Sequence, residues 1–120
     1  MNTKEDFIAV FDSGVGGISV LRHLRRLMPG ERYLYFGDSA NAPYGTKTKD
    51  EVEALTFAAA RHLMARGVKA LVVACNTATS AALPELREHF APLPVLGVAR
   101  PGAEAAVAAS RNKRIVVIAT

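Results

Sequence analysis

Phe7-Ile-Ala-Val-Phe-Asp-Ser-Gly-Val-Gly-Gly17 decides how the chain is read. Its first five residues are an unbroken apolar run, the pattern of a strand buried on both faces. Asp12 to Gly17 is a glycine-rich turn, and beyond it the hydrophobic period changes. Ile18, Leu21, Leu24, Leu27 and Met28 recur at helical spacing until Pro29-Gly30 stops them. A strand that turns through glycines into an amphipathic helix opens a β-α unit, and the rest of the chain repeats the theme. Tyr33 to Phe36 reads as a second strand, followed by a polar loop from Gly37 to Lys47. Thr48 and Glu51 form a capping-box pair, opening a helix with Val52, Leu55, Ala59 and Leu63 on one side and Gly67 at its end. Ala70 to Ala74 is a third buried strand, and it leads through Cys75-Asn-Thr77 into a helical stretch that reaches Phe90. Pro84 is expected to divide that stretch as the first residue of a second short helix.

Pro94 to Gly97 reads as a fourth strand, Pro101-Gly102 as the entry to an alanine-rich helix ending near Ala109, and Arg114 to Ala119 as a fifth strand. Apolar strands alternating with helices predict an α/β fold, an open parallel sheet with helices on both faces. Composition shifts at Ala91 to Pro94 and at Arg100 to Gly102 mark the linker candidates. A fifth buried strand with no helix after it leads to the expectation that the chain is the first part of a longer protein.

Composition agrees with a single folded unit. Of 120 residues, 50% are hydrophobic and 22% charged, which excludes disorder as the main state. The apolar runs are far shorter than the ~18 residues of a membrane-spanning helix, and no secretory signal is visible at the start. The net charge of +4 comes from 15 basic and 11 acidic side chains. The basic residues are scattered, with no aromatic-interleaved stripe for nucleic acid. A lone cysteine cannot form an internal disulfide, which fits a reducing, cytoplasmic compartment.

In an open parallel sheet, ligands bind beyond the carboxyl ends of the strands. Here those ends carry the unusual residues: Asp12 and Ser13 after the first strand; Asp38, Asn41, Tyr44 and Gly45 after the second; Cys75, Asn76 and Thr77 after the third. Cys75 is open to two readings, a small core filler or a reactive thiol. Its place before a helix start, where free amides and the helix dipole favour an anion, weighs toward the thiol. The turn from Asp12 to Gly17 also has two readings. Gly14-x-Gly16-x-x-Ser19, with Asp38 at the next strand end, approaches a dinucleotide fingerprint, but the third glycine is missing and Asp12 would face a pyrophosphate. The alternative is a polar ligand contact at Asp12, or an acid there that meets an amino group. His23, His62 and His89 read as solvated or packed, and none has metal-ligand spacing with Cys75.

Three segments, Phe11 to Gly17, Gly37 to Gly45 and Ala74 to Thr79, together resemble signature segments of the glutamate racemases, within the aspartate/glutamate racemase family. The resemblance runs from about Phe7 to the end of the chain. It implies a two-domain α/β protein, of which residues 1–98 form the first domain and residues 99–120 the opening helix and strand of the second. It implies interconversion of L- and D-glutamate without cofactor or metal, by proton transfer between two groups on opposite faces of the α-carbon. Cys75 and Asp12 are implied as catalytic residues. Asp12, Ser13, Tyr44, Gly45, Asn76 and Thr77 are implied as substrate contacts. The implied role is supply of D-glutamate for peptidoglycan synthesis, with glutamate as the partner, neither nucleic acid nor membrane engaged, and a homodimer admitted for the complete enzyme. The family's second cysteine, followed by Thr and His, has no counterpart in this sequence, and Arg100 stands where an acidic or apolar residue is more usual. The alternatives are a Rossmann-like nucleotide-binding domain or a racemase for another acidic amino acid such as aspartate.

Overall fold

The computed structural model describes residues 6–117. They form β1 (Phe7–Asp12), α1 (Ile18–Leu27), β2 (Arg32–Gly37), two single 3-10 turns (Ser39–Asn41 and Tyr44–Thr46), α2 (Lys49–Met64), β3 (Val68–Val73), α3 (Asn76–Phe90), β4 (Val95–Gly97) and α4 (Ala99–Ala109). The strands make one parallel sheet in the order β2-β1-β3-β4. The expected α/β architecture holds.

Strand alternation assigns the two faces. Ile8, Val10 and Val72 point to one side and meet Val20, Leu21 and Leu24 of α1. Ala9, Phe11, Leu71 and Val73 point to the other and build the larger core with Val52 and Leu63 of α2 and Ala82 and Leu86 of α3. Each fully buried side chain of this size stabilises the fold by about 1.5–3 kcal/mol. The chain passes from β1 to β2 by way of α1 on one face, then returns across β1 to β3 by way of α2 on the opposite face. The loops leaving β1 and β3 therefore diverge, which makes the gap between their carboxyl ends the topological switch point of the sheet.

Local chemistry sets the helix ends. The Thr48 hydroxyl accepts from the Glu51 amide at 3.2 Å, and the Thr48 amide donates to the Glu51 carboxylate at 3.3 Å, the reciprocal pair that starts α2. Gly67, at φ +81°, turns the chain from α2 into β3. Two aromatic hydroxyls on β2 pin α1. Tyr33 Oη donates to the carbonyls of Leu24 and Met28 at the helix end, and Tyr35 Oη donates to the Gly14 carbonyl at 2.7 Å before its start.

Three expectations change. Pro84 lies inside one continuous α3 rather than at the head of a second helix. It cannot donate to the Ser80 carbonyl four residues back, but Ser80 is exposed, so water can satisfy that oxygen. α4 begins at Ala99, ahead of Pro101-Gly102, because Pro101 falls in the first turn, where its missing N–H leaves no hydrogen bond unmade. The fifth strand is not formed over residues 114–117, which pair with no other strand. The Lys113 and Arg114 amides bond instead to the Ser110 and Asn112 side chains, and Val116 and Val117 stay 89% and 80% exposed. An extended segment without a neighbouring strand has no ladder to stabilise it. The expected continuation to Ala119 lies outside the described residues. No helix among the described residues is long and apolar enough to cross a membrane.

Gly97 closes β4 against α3. A Cβ there would stand 2.5 Å from Thr79 Cγ2 and 2.8 Å from Leu83 Cδ2. Thr79 cannot rotate away, because its hydroxyl donates to the carbonyls of Val73 at 3.2 Å and Cys75 at 2.8 Å. Gly97→Ala is expected to lower stability by about 1–3 kcal/mol through overpacking, read as a lower urea midpoint with unchanged slope.

Candidate active site

Cys75 lies at the end of β3, just past Ala74, whose amide still donates to the Phe11 carbonyl at 2.7 Å. It is the N-cap of α3 and only 6% exposed. Its Sγ accepts from the Ala78 amide at 3.4 Å, so a donor that a helix start would leave unpaired is aimed at the sulfur. The same Sγ lies 3.7 Å from Ser13 Oγ, a contact across 62 positions of sequence. The neutral thiol donates to the hydroxyl; a thiolate at the same place would accept from the hydroxyl and from Ala78.

Asp12 ends β1 and is 9% exposed. Its Oδ2 accepts from the amides of Gly17, the N-cap of α1, at 3.1 Å, and of Gly14 at 3.3 Å. Anionic oxygen is favoured at this end of a helix. These two amides are donors that a dinucleotide phosphate would use, and an internal carboxylate already holds them. Asp38, the acid that reading required for a ribose, is also engaged. Its two oxygens accept from Asn41 Nδ2 at 2.9 and 3.0 Å, and one also accepts from Tyr44 Oη at 2.6 Å. The geometry thus removes both supports of the dinucleotide alternative.

Tyr44 is 1% exposed and sits in the same buried cluster as Cys75, its ring centroid 6.1 Å from that of Phe11. Burial, then the hydrogen bond to Asp38 and the charges of Asp38, Cys75 and Asp12, hold its phenol far above the ordinary tyrosine range. Tyr44 is therefore a fixed neutral donor to Asp38 rather than a proton acceptor. Tyr35 is also raised, by burial first and then by the Asp12 charge.

The structure thus brings Asp12, Ser13, Cys75 and Tyr44 to one end of the sheet. Gly45 follows Tyr44 in the second 3-10 turn and is exposed. Asn76 and Thr77 open α3 and line a cavity of about 1000 Å³ together with Lys47, Lys49 and Ser80. Sequence reasoning missed the Tyr35 hydroxyl that holds the Gly14 carbonyl; the signal available was the Tyr-x-Tyr alternation at 33 and 35, which puts two polar-tipped rings on the α1 face. The histidines stand apart. His62 and His89 occupy the last turns of α2 and α3, where their rings pack on Phe36 at 5.3 Å and Phe90 at 4.7 Å. Among the described residues no three His, Cys, Asp or Glu side chains gather as metal ligands.

The chain is thus a doubly wound α/β unit with a buried thiol and a nearly buried carboxylate at its switch point. Residues 16–120 match the family described as Asp/Glu/Hydantoin racemase, and the chain belongs to that family. It is 53% identical over 113 residues to a glutamate racemase of Clostridium novyi, a match that covers 94% of this chain and 43% of that protein. Among solved structures, a glutamate racemase from Thermus thermophilus in complex with β-chloro-D-alanine is 54% identical with a TM-score of 0.81, over 86% of this chain and 40% of that one. A glutamate racemase from Francisella tularensis in complex with D-glutamate is 35% identical with a TM-score of 0.80, over 85% of this chain and 39% of that one. The chain spans about half the length of the curated relatives it matches.

The Tyr44 geometry sets an alkaline limit. A phenol whose folded pKa is raised keeps its proton in the native state at pH values where the unfolded chain, near ~10, has lost it. Its contribution to stability is full below that value and falls as pH rises above it. Spectrophotometric titration at 295 nm is expected to show phenolate from Tyr44 only together with loss of the helical circular-dichroism signal, and Tyr44→Phe should remove that component.

Proposed function

We propose that the chain carries one half of a two-base, cofactor-independent racemisation of glutamate. The observation that carries this reading is Cys75 at the start of α3, its sulfur flanked by the Ala78 amide and the Ser13 hydroxyl, with Asp12 at the neighbouring strand end. In the proposed step the Cys75 thiolate takes the α-proton as H⁺. The electron pair remains on the α-carbon and its carboxylate, and a second acid returns a proton from the opposite face. By family resemblance that acid is a cysteine followed by Thr and His, further along the chain of the relatives.

Asp12 faces the substrate ammonium or assists deprotonation of the thiol. Its held orientation supports a preorganised role, since fixed groups need no rearrangement as charge develops. Ser13, Tyr44, Gly45, Asn76 and Thr77 hold the substrate through amides and side-chain donors. Glutamate as the substrate is supported by the D-glutamate complex of the Francisella tularensis relative. Residues 1–98 are proposed as the first domain and residues 99–120 as the opening of a second, a reading supported by α4, which buries none of its side chains. The biological role that follows is supply of D-glutamate for peptidoglycan in the cytoplasm, by an enzyme whose complete form admits a homodimer.

The test is α-carbon deuterium exchange and circular dichroism of L- and D-glutamate in D₂O, with the complete reading frame that encodes this chain. Cys75→Ser is expected to lower kcat in both directions by about 10²–10⁴-fold, the scale of general acid–base catalysis, with the fold retained. Near-normal turnover of the serine variant would sink the assignment. Asp12→Asn is expected to lower kcat more than it raises KM; a rise in KM alone would make Asp12 a simple ammonium contact. The 120-residue chain by itself, with one proton-transfer group, is expected to give no racemisation.

A further inference from the structure

We infer that Asp38 is a positioning residue for the Cys75 site and acts through the Tyr44 hydroxyl. The loop between β2 and α2 needs such a device. It consists of two three-residue 3-10 turns, neither with a side-chain cap, joined by stretches without regular structure. Its own backbone bonds are few, from Asn41 to Asp38 at 3.1 Å, Ala42 to Ser39 at 3.3 Å and Lys47 to Tyr44 at 3.1 Å. From Ser39 to Thr46 every residue is exposed except Tyr44. Left to these interactions, the loop would be among the least stable parts of the chain.

Asp38 supplies the missing anchor from both sides. Its amide donates to the Asp12 carbonyl at 3.0 Å, tying the end of β2 to the end of β1. Its carboxylate is clamped by Asn41 Nδ2 on both oxygens and receives the Tyr44 hydroxyl at 2.6 Å, within the range of a charge-assisted O–H···O⁻ bond. The phenol that makes this bond lies in the buried cluster that also holds Phe11 and Cys75, its ring centroid 6.1 Å from that of Phe11. A series of hydrogen bonds therefore runs from the Asp12 backbone, through Asp38, to a ring of the cluster in which the thiol is buried. Neither carboxylate nor phenol touches Cys75 in a hydrogen bond, so the effect is on placement: the Tyr44 ring is held in the buried cluster that encloses the sulfur.

A double-variant cycle tests this without assuming any reaction. Cys75 is the only cysteine in the chain, so its alkylation by iodoacetamide at fixed pH reports access to that sulfur alone. Asp38→Ala and Tyr44→Phe should each speed alkylation by roughly 3- to 10-fold, and the double variant should be no faster than either, because both remove one bond. Asp38→Asn, whose amide oxygen still accepts from the phenol, should restore most of the slow rate. Multiplicative effects in the double variant, or either single variant matching the wild type, would overturn the inference. If Asp38→Ala does not fold, Tyr44→Phe against Asp38→Asn decides it in the same way: fast and slow support it, both slow or both fast overturn it.

A kinetic arm rests on the proposed racemase reading. In the complete reading frame, Asp38→Ala and Tyr44→Phe should raise the KM for glutamate with a much smaller change in kcat, which a general loss of folded protein would not do. A wild type that leaves glutamate untouched would defeat the racemase reading, while the alkylation cycle would still judge the role of Asp38.

Discussion

The carboxylate of Asp12 on the amides of Gly17 and Gly14 is the interaction on which this end of the molecule depends. A nearly buried anion needs donors, and the start of a helix needs acceptors. One contact meets both requirements. Because Asp12 is the last residue of β1, the strand fixes where its side chain points, and the side chain fixes where α1 begins. Ser13, between the two, is left facing Cys75. The same bond decides what the glycine-rich turn is for: its amides hold a residue of the chain itself, so the turn organises a carboxylate instead of cradling a phosphate.

Much of this was legible in the sequence because it is local or repeats. β1 and β3 are central strands buried on both faces, and their unbroken apolar runs say so. The Thr48 and Glu51 pair starts α2 through contacts only three residues apart. The convergence of Asp12, Ser13, Tyr44 and Cys75 followed from one rule, that a parallel sheet gathers its strand ends on one side. β2 was less sharply bounded. It begins one residue earlier than its apolar run because Arg32 pairs with Phe7 in register and lays its guanidinium 4.3 Å over that ring.

What escaped the sequence depended on partners distant along the chain or absent. Pro84 carries a strong local signal for a helix start, yet packing of Ala81, Ala82 and Leu86 on the sheet keeps α3 continuous past it. Ile115 to Val117 has the composition of a strand, and composition cannot supply a neighbour. In the site, residue types were readable but their bonds were not. Nothing in the spacing of Asp38, Asn41 and Tyr44 says that one carboxylate will gather the other two, or that Tyr35 will reach back 21 positions to Gly14.

Gly97 gives α4 an unusual mounting. The chain leaves the sheet at a residue with no side chain, pressed against a threonine that cannot turn, and two residues later enters a helix that buries nothing. The helix is thus joined to the sheet at a point where the methyl of Thr79 leaves no room for a side chain. The hydroxyl of Thr79 holds the carbonyl of Cys75. A side chain added at residue 97 would therefore press on Thr79 and, through its hydroxyl, on the backbone of Cys75.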